Sequence, residues 1–196
     1  MQWTHAKPIY FKNNYMKPRH SSTEAAIRPP IAAEGSNAHE EIIEWLKDAY
    51  GMERGMETSL QKQVNNVDLS PKVRNRACAH LQETRRHAEE IRALLEGLGQ
   101  DVSVLKTGIG VVAEATKGIV TAFARDERIK DLLNAYSMEH FEIACYLALI
   151  TAAEKASLMQ IVEVCRGILV EEERMAQSLK DSLPEEVSMY LMTART

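Results

Sequence analysis

The chain has 196 residues, of which 45% are hydrophobic and 27% are charged, as is typical of one soluble globular domain with a sizeable core. A formal net charge of -4 excludes nucleic-acid binding through overall positive charge. There is no apolar run as long as a membrane span and no apolar signal-peptide core at the start. Three cysteines without a CxxC pair favour free thiols, so we expect a cytoplasmic protein that has no membrane and no nucleic-acid partner.

Residues 1–37 differ in composition from the rest of the chain. They contain four of the six prolines, five basic and two acidic residues, and no sustained hydrophobic period. We therefore expect a flexible, weakly basic N-terminal tail over 1–37 and a folded domain over 38–196. The tail is either a solvated extension or an arm that docks on an acidic surface, and the sequence leaves both interpretations open.

Two long helices are predicted after the tail. From about Asn37, a plausible N-cap, apolar residues recur at steps of three and four until the pattern breaks at 65–68. Ser70 and Pro71 provide a cap and a first helical position for a second helix, which ends near Gly99. Two long helices joined by a short loop form an antiparallel hairpin.

The second half of the chain predicts another hairpin. Glycines and branched apolar residues in 100–125 indicate a loop with one short amphipathic helix, which would form a crossover. Helical periods follow over 126–153 and over 157–182, where Leu183-Pro184 is expected to end the helix before a short tail helix at 185–193. The prediction is an all-α antiparallel four-helix bundle of two helical hairpins joined by a crossover.

Four glutamates are placed symmetrically about the two predicted bends. Glu53 and Glu83 lie equally far from the first bend, and Glu139 and Glu172 lie equally far from the second. In each case the separation is about 15 residues, or roughly 23 Å along a helix. The four carboxylates are therefore predicted to reach one level inside one bundle.

Such a crowded set of acids requires an explanation. A buried carboxylate costs several kcal/mol to desolvate, and neighbours of like charge raise each other's pKa. Two divalent cations would cancel four negative charges, and oxygen ligands with imidazoles from His80 and His87 suit iron or manganese. In the alternative, each acid reaches solvent at the edge of its apolar stripe, the run Glu171–Glu173 is a solvated face, and the histidines are hydrogen-bonded core residues.

Three motifs resemble one known family. The segments 46–53 (LKDAYGME), 80–87 (HLQETRRH) and 139–146 (EHFEIACY) resemble the YciE/YciF family of ferritin-like proteins. The resemblance covers about residues 38–182 and keeps the order of all four helices. It implies a ferritin-like bundle with a di-iron site, a homodimer, and an association with stress responses, and members of the family are commonly labelled ferroxidases.

The resemblance also implies which side chains bind metal. Glu142 is a further or bridging ligand, His140 is a weaker candidate, and His80 is an outer hydrogen-bond partner of a ligating carboxylate. The main implied metal ligands are Glu53, Glu83, His87, Glu139 and Glu172.

Two departures from the di-iron pattern concern the second metal position. The step from Glu83 to His87 is four residues, whereas the general di-iron motif has three, and Ala176 occupies the position on the fourth helix that matches His87. The leading hypothesis is a protein that binds iron and oxidises Fe(II) with dioxygen or peroxide. The alternatives are a metal-poor structural dimer without enzymatic activity and a manganese-dependent enzyme that disproportionates peroxide.

Overall fold

The computed structural model describes residues 32–65, 71–102 and 127–193. Within these ranges the chain forms four α-helices and no strand: α1 (Ala32–Val64), α2 (Pro71–Gly97), α3 (Glu127–Lys155) and α4 (Met159–Thr193). The predicted all-α bundle is confirmed. The predicted short crossover helix and most of the predicted tail lie outside the described residues and stay predictions.

The helices pack as two hairpins around one interior. The most extensive contacts join α1 to α2 and α3 to α4, and smaller contacts join α1 to α3 and α2 to α4. Each helix therefore has two neighbours and one diagonal partner, as in a four-helix bundle. None of the helices in the described part of the chain is long and apolar enough to cross a membrane.

The bend between α3 and α4 is short and well defined. Ser157 has a positive φ of 59°, and its N–H donates to the Glu154 carbonyl while the Leu158 N–H donates to the Ala153 carbonyl. This is the Schellman pattern that ends many helices, and Gly99 closes α2 in the same way with a φ of 74°. Since few residues separate α3 from α4, the bend fixes the level of one helix against the other.

The beginning of α1 differs from the prediction. The helix begins at Ala32, so Asn37 lies inside it and is not the N-cap, and residues 32–37 are helical rather than part of a flexible tail. Ala32, Ala33 and Glu34 favour helix but Gly35 and Ser36 do not, so local preference does not explain why the helix begins before the polar residue that resembled a cap. The boundary between the tail and the domain otherwise stays a prediction.

The end of α4 also differs, because the helix continues through Pro184 to Thr193 without a separate tail helix. Proline removes one helical hydrogen bond, but contacts with other helices hold the segment on either side of it. Arg76 of α2 donates to Ser182 Oγ at 3.0 Å, and Arg128 of α3 forms an ion pair with Glu186 at 2.9 Å. Tertiary contacts therefore override the helix-ending signal of Leu183-Pro184.

Two apolar clusters fill the interior and leave a polar layer between them. The larger cluster surrounds the α3–α4 bend, and the smaller one lies towards the beginning of α3. Along α3, Glu139 lies between Leu132 of the smaller cluster and Leu149 of the larger one. Buried members of the larger cluster include Leu46, Ile91, Leu95, Tyr146, Leu149, Ile161 and Ile168.

The three cysteines all lie in described helices and are free thiols, as the sequence predicted. Cys165 belongs to the larger apolar cluster, and burial raises the pKa of its thiol to about 12. Burial raises the pKa of Cys145 as well. Cys165 is therefore a small core residue, Cys145 is a partly buried residue packed against the same cluster, and both thiols stay protonated.

Candidate metal centre

The layer between the two apolar clusters contains six buried ionisable side chains, contributed by all four helices. None of the six is more than 2% exposed. Among the buried side chains of the described residues there is no Lys or Arg, so only imidazoles are available to balance the carboxylates. The six are Glu53 on α1, His80 and His87 on α2, Glu139 and Glu142 on α3, and Glu172 on α4.

These side chains form two groups that could each hold a metal ion. The His87 group consists of Glu53, His87 and Glu172, and the His80 group consists of His80, Glu139 and Glu172. In each group, one possible ligand atom from every residue lies within 4.8 Å of the others. Glu172 belongs to both groups, so its carboxylate lies between the two histidines.

The closest contacts in each group involve a specific ring nitrogen. His87 Nδ1 lies 3.0 Å from Glu172 Oε1 and 3.7 Å from Glu53 Oε2. His80 Nε2 lies 3.2 Å from Glu139 Oε1 and 3.9 Å from Glu172 Oε2. The two histidines therefore present different ring nitrogens to the carboxylates.

Many polar atoms of this layer lack a hydrogen-bond partner. His87 Nδ1 and Glu172 Oε1 are only 3.0 Å apart, yet neither has a partner, so their angle does not suit a hydrogen bond. Buried polar groups without partners are rare in folded proteins and are costly. Carboxylate oxygens and imidazole nitrogens that converge at ion-pair distance without hydrogen-bond geometry fit the donor set of a divalent cation. The unpaired atoms are Glu53 Oε2, His80 Nε2, His87 Nδ1, Glu139 Oε2, Glu142 Oε2 and both oxygens of Glu172.

The electrostatics show how the layer balances its charge when no cation is bound. Burial raises the pKa of Glu139 to about 7 and raises the pKa of Glu142 well above its ordinary value. Burial alone would lower the pKa of both imidazoles, but the adjacent carboxylates outweigh it and raise the pKa to about 9 for His80 and about 10 for His87. Burial would likewise raise the pKa of Glu172, but the two imidazoles lower it. Protonated imidazoles thus supply positive charge in the metal-free protein.

Each imidazole has a second carboxylate on its outer side. His87 Nε2 lies 2.8 Å from Glu171 Oε2, and the same carboxylate forms an ion pair with Arg86. His80 Nδ1 lies 3.5 Å from Glu83 Oε2. The other oxygen of Glu83 accepts a hydrogen bond from Arg174 Nη2 at 2.6 Å.

Tyr146 of α3 holds one of the inner carboxylates. Its buried hydroxyl donates a short hydrogen bond to Glu53 Oε1, which leaves Glu53 Oε2 directed towards His87. Burial and the neighbouring Glu53 raise the pKa of Tyr146 well above its ordinary value, so the phenol stays protonated as a donor. The rotation of the Glu53 carboxylate is therefore restrained.

Comparison with known proteins identifies the family. The family described as Domain of unknown function (DUF892) matches residues 37–192. This chain belongs to that family. A solved structure from Xanthomonas campestris pv. campestris is 29% identical, has a TM-score of 0.68, and is matched over 82% of this chain and 99% of that one.

Two further solved structures share the fold of this DUF892 protein. The E. coli stress protein YciF is 24% identical, with a TM-score of 0.60 over 77% of this chain and 97% of that one. YcfI from Rhodopseudomonas palustris is 24% identical, with a TM-score of 0.57 over 73% and 92%. The predicted resemblance to the YciE/YciF family is confirmed.

The structure brings most of the predicted ligands of the DUF892 protein into the buried layer. Glu83 lies at its edge instead, with 24% of its side chain exposed. His140 is exposed and packs edge-on against Tyr136 with the ring centres 4.5 Å apart. The predicted ligands that lie inside the layer are Glu53, His87, Glu139, Glu142 and Glu172; metal binding by any of them stays a prediction.

The place or role of three residues in or beside the buried layer of this DUF892 protein was not predicted from the sequence. The family resemblance implied that His80 is an outer partner of a ligating carboxylate, and the structure buries its ring among the inner carboxylates, as its place on the apolar stripe of α2 indicates. Glu171 was interpreted as part of a solvated run, and only its contact with His87 distinguishes it. Tyr146 follows Glu142 by four residues, which places it on the same helix face as that acid.

Proposed function

We propose that this protein binds two divalent metal ions, iron or manganese, side by side in the buried layer. The observation that supports this most strongly is the convergence of unpaired carboxylate oxygens and imidazole nitrogens on the bundle interior. A cation bound to each group would give these atoms a partner and replace the protons that the imidazoles otherwise need.

The two groups divide the ligands evenly. One ion would be held by His87 Nδ1 and Glu53, and the other by His80 Nε2 and Glu139. Glu172 lies within reach of both. Glu142 is buried in the same layer, three residues after Glu139 on α3, and would be a further ligand for one of the ions. Four carboxylates and two neutral imidazoles balance two divalent charges, and this neutrality makes burial of the ions favourable.

We further propose oxidation of Fe(II) by peroxide or dioxygen. Two adjacent Fe(II) ions can each lose one electron. The two electrons, together with two protons, reduce one molecule of hydrogen peroxide to two molecules of water. The chain would contribute by binding both ions close together and by keeping the site neutral and free of bulk water. The similar fold of an E. coli protein described as a stress protein supports a stress-protective role.

The test begins with metal content. Purified protein should bind two Fe(II) per chain under anaerobic conditions, and addition of peroxide or dioxygen should produce Fe(III) absorbance faster than in protein-free buffer. Glu172→Ala should abolish both, whereas Glu173→Ala should change neither, because Glu173 is an exposed neighbour on the same helix.

Other outcomes favour other functions. Peroxide consumption with manganese but not with iron would support the manganese-dependent alternative. A folded protein that binds neither metal would contradict the proposal and leave the structural dimer as the best hypothesis. The homodimer expected from the family resemblance is tested in the same samples by sedimentation.

A further inference from the structure

We propose that Glu83 and Glu171 are positioning residues, each of which holds one imidazole so that a particular ring nitrogen faces the metal. This inference rests on the proposed metal site. It gives Glu83 a different role from that of a metal ligand, and it gives a role to Glu171, which the ligand set does not include.

The contact is clearest at His87. Its Nδ1 faces the buried carboxylates of Glu172 and Glu53, and its Nε2 lies 2.8 Å from Glu171 Oε2. A carboxylate at this distance accepts the Nε2 proton, which leaves the lone pair of a neutral ring on Nδ1. His87 would therefore bind metal through Nδ1.

The same arrangement occurs at His80 with the two nitrogens exchanged. Its Nε2 faces Glu139 and Glu172, and its Nδ1 lies 3.5 Å from Glu83 Oε2. If Nδ1 donates to Glu83, the lone pair is on Nε2 and points into the layer. A carboxylate behind a metal-bound imidazole fixes the tautomer and the ring orientation, and increases the basicity of the ligand.

Glu83 and Glu171 are each held in place by an arginine from the neighbouring helix. Glu83 of α2 binds Arg174 of α4, and Glu171 of α4 binds Arg86 of α2. The two pairs are reciprocal, since each helix supplies one acid and one arginine. They also span the α2–α4 interface, where the helices otherwise make only a small contact.

The position of Glu83 argues against direct metal ligation. Its Oε1 is occupied by Arg174, and its Oε2 faces the nitrogen of His80 that points away from the inner carboxylates. The imidazole ring thus lies between Glu83 and the buried layer. Glu83 and Glu171 are also similarly exposed, at 24% and 26% of their side chains, whereas the inner carboxylates are almost fully buried.

Glu57 provides a matched control. It is 18% exposed and forms an ion pair with Arg85 at 2.9 Å across the α1–α2 interface. Replacing Glu57 removes an interhelical ion pair, as replacing Glu83 or Glu171 does. It leaves the contacts of His80 with Glu83 and of His87 with Glu171 intact. A variant at this position therefore separates lost bundle stability from lost histidine orientation.

The first experiment is a Co(II) titration of the full-length protein followed by visible absorption. We expect Glu83→Leu and Glu171→Leu each to weaken one of the two Co(II) sites about tenfold to a hundredfold. Glu57→Leu should leave both affinities unchanged. Glu83→Gln and Glu171→Gln should restore most of the affinity, because an amide oxygen can still accept the ring proton. Arg174→Leu should have a smaller effect than Glu83→Leu, since it leaves the contact between Glu83 and His80 in place.

The second readout is proton NMR of the Co(II)-loaded protein, which reports ring orientation directly. The wild type should show two strongly shifted, exchangeable imidazole N–H signals. The assigned His80 signal should belong to an Nδ1 proton and the His87 signal to an Nε2 proton. Glu83→Leu should broaden or remove only the first, and Glu171→Leu only the second. The wild-type spectrum gives this result even if a leucine variant fails to fold.

The outcomes separate this inference from the proposed function. Wild-type protein that binds no Co(II), Fe(II) or Mn(II) would contradict the metal site itself. Wild-type binding that is unchanged in Glu83→Leu and Glu171→Leu would overturn only the positioning role. Loss of metal in Glu83→Gln equal to that in Glu83→Leu would show that Glu83 is a direct ligand, since an amide is a poor replacement for a ligating carboxylate.

Discussion

The His87 group and the His80 group contain the same kinds of ligand atoms but differ in how firmly those atoms are held. In the first, Glu53 is fixed by the Tyr146 hydroxyl, and the outer nitrogen of His87 lies 2.8 Å from a carboxylate. In the second, the outer contact of His80 is longer, at 3.5 Å. Equal composition therefore does not give equal preorganisation, and we expect the His87 group to bind its ion more tightly.

The largest effect should come from the residue that the two groups share. Glu172→Ala should lower the metal content from two ions per chain to nearly none, because each group loses a ligand at once. Metal analysis after anaerobic loading measures this. Glu139→Ala should remove only one ion, and equal losses in Glu172→Ala and Glu139→Ala would contradict a shared carboxylate.

The difference between the groups can be measured by removing one histidine at a time. His80→Gln leaves the firmly held group, and His87→Gln leaves the looser one. We expect the remaining site of His80→Gln to bind Co(II) about tenfold more tightly than that of His87→Gln, a difference of about 1.4 kcal/mol. His140→Gln is the control, because His140 is exposed. Identical affinities in the two variants would mean that the groups are equivalent.

The stability of the metal-free protein should fall as the pH rises. The pKa of His80 is raised to about 9 and that of His87 to about 10, so protonation of both imidazoles favours the folded state. This stabilisation is fully present below the ordinary imidazole pKa of about 6.5 and is lost as the pH rises through the two raised values. Even one effective pKa unit at each imidazole corresponds to about 3 kcal/mol in total.

Urea unfolding between pH 6 and pH 10 tests this prediction. The metal-loaded protein should behave differently, because loss of the imidazole protons favours metal binding. The two stability curves should therefore separate as the pH rises. Parallel curves would contradict competition between protons and metal at the imidazoles.

The last prediction concerns the hydroxyl that restrains Glu53. Tyr146→Phe removes a buried hydrogen bond to a carboxylate and should lower the free energy of unfolding by about 1.5 kcal/mol. It should weaken metal binding only at the His87 group and so reduce the difference between the groups. Tyr50→Phe is the matched control, since Tyr50 is half-buried against the larger apolar cluster. If the His87 group of Tyr146→Phe still binds Co(II) more tightly than the His80 group, the tighter binding is due to the contact between His87 and Glu171.

Counting residues from the bends predicted the level of the site well. Glu53, Glu139 and Glu172 are all in the buried layer, because the rise per residue is the same in every α-helix. The count could not predict the direction of a side chain around its helix. Glu83 is at the predicted level but turned to the flank, whereas His80 lies on the apolar stripe and faces inward.

The predictions at the helix ends failed for a different reason. Asn37 and Pro184 carry local signals for a helix start and a helix end, and at Pro184 the local signal is weak compared with tertiary contacts. The ion pair between Arg128 and Glu186 joins residues that are far apart in the sequence, so the continuation of α4 could not be predicted from its own composition. The outer contact between Glu171 and His87 was missed for the same reason.

The short bend at Ser157 limits how a gene for this protein can change in length. One codon inserted between Ser157 and Glu172 would turn the shared carboxylate by about 100° and move it by about 1.5 Å along the helix axis. A second codon inserted before the bend would bring Glu139 and Glu172 back to the same level. It would not restore the direction of their side chains around the two helices. Paired insertions of about seven residues, one on each side of the bend, would preserve both the level and the direction of the carboxylates. Length variation among descendants of this gene should therefore fall outside the two segments that connect the bend to its acids.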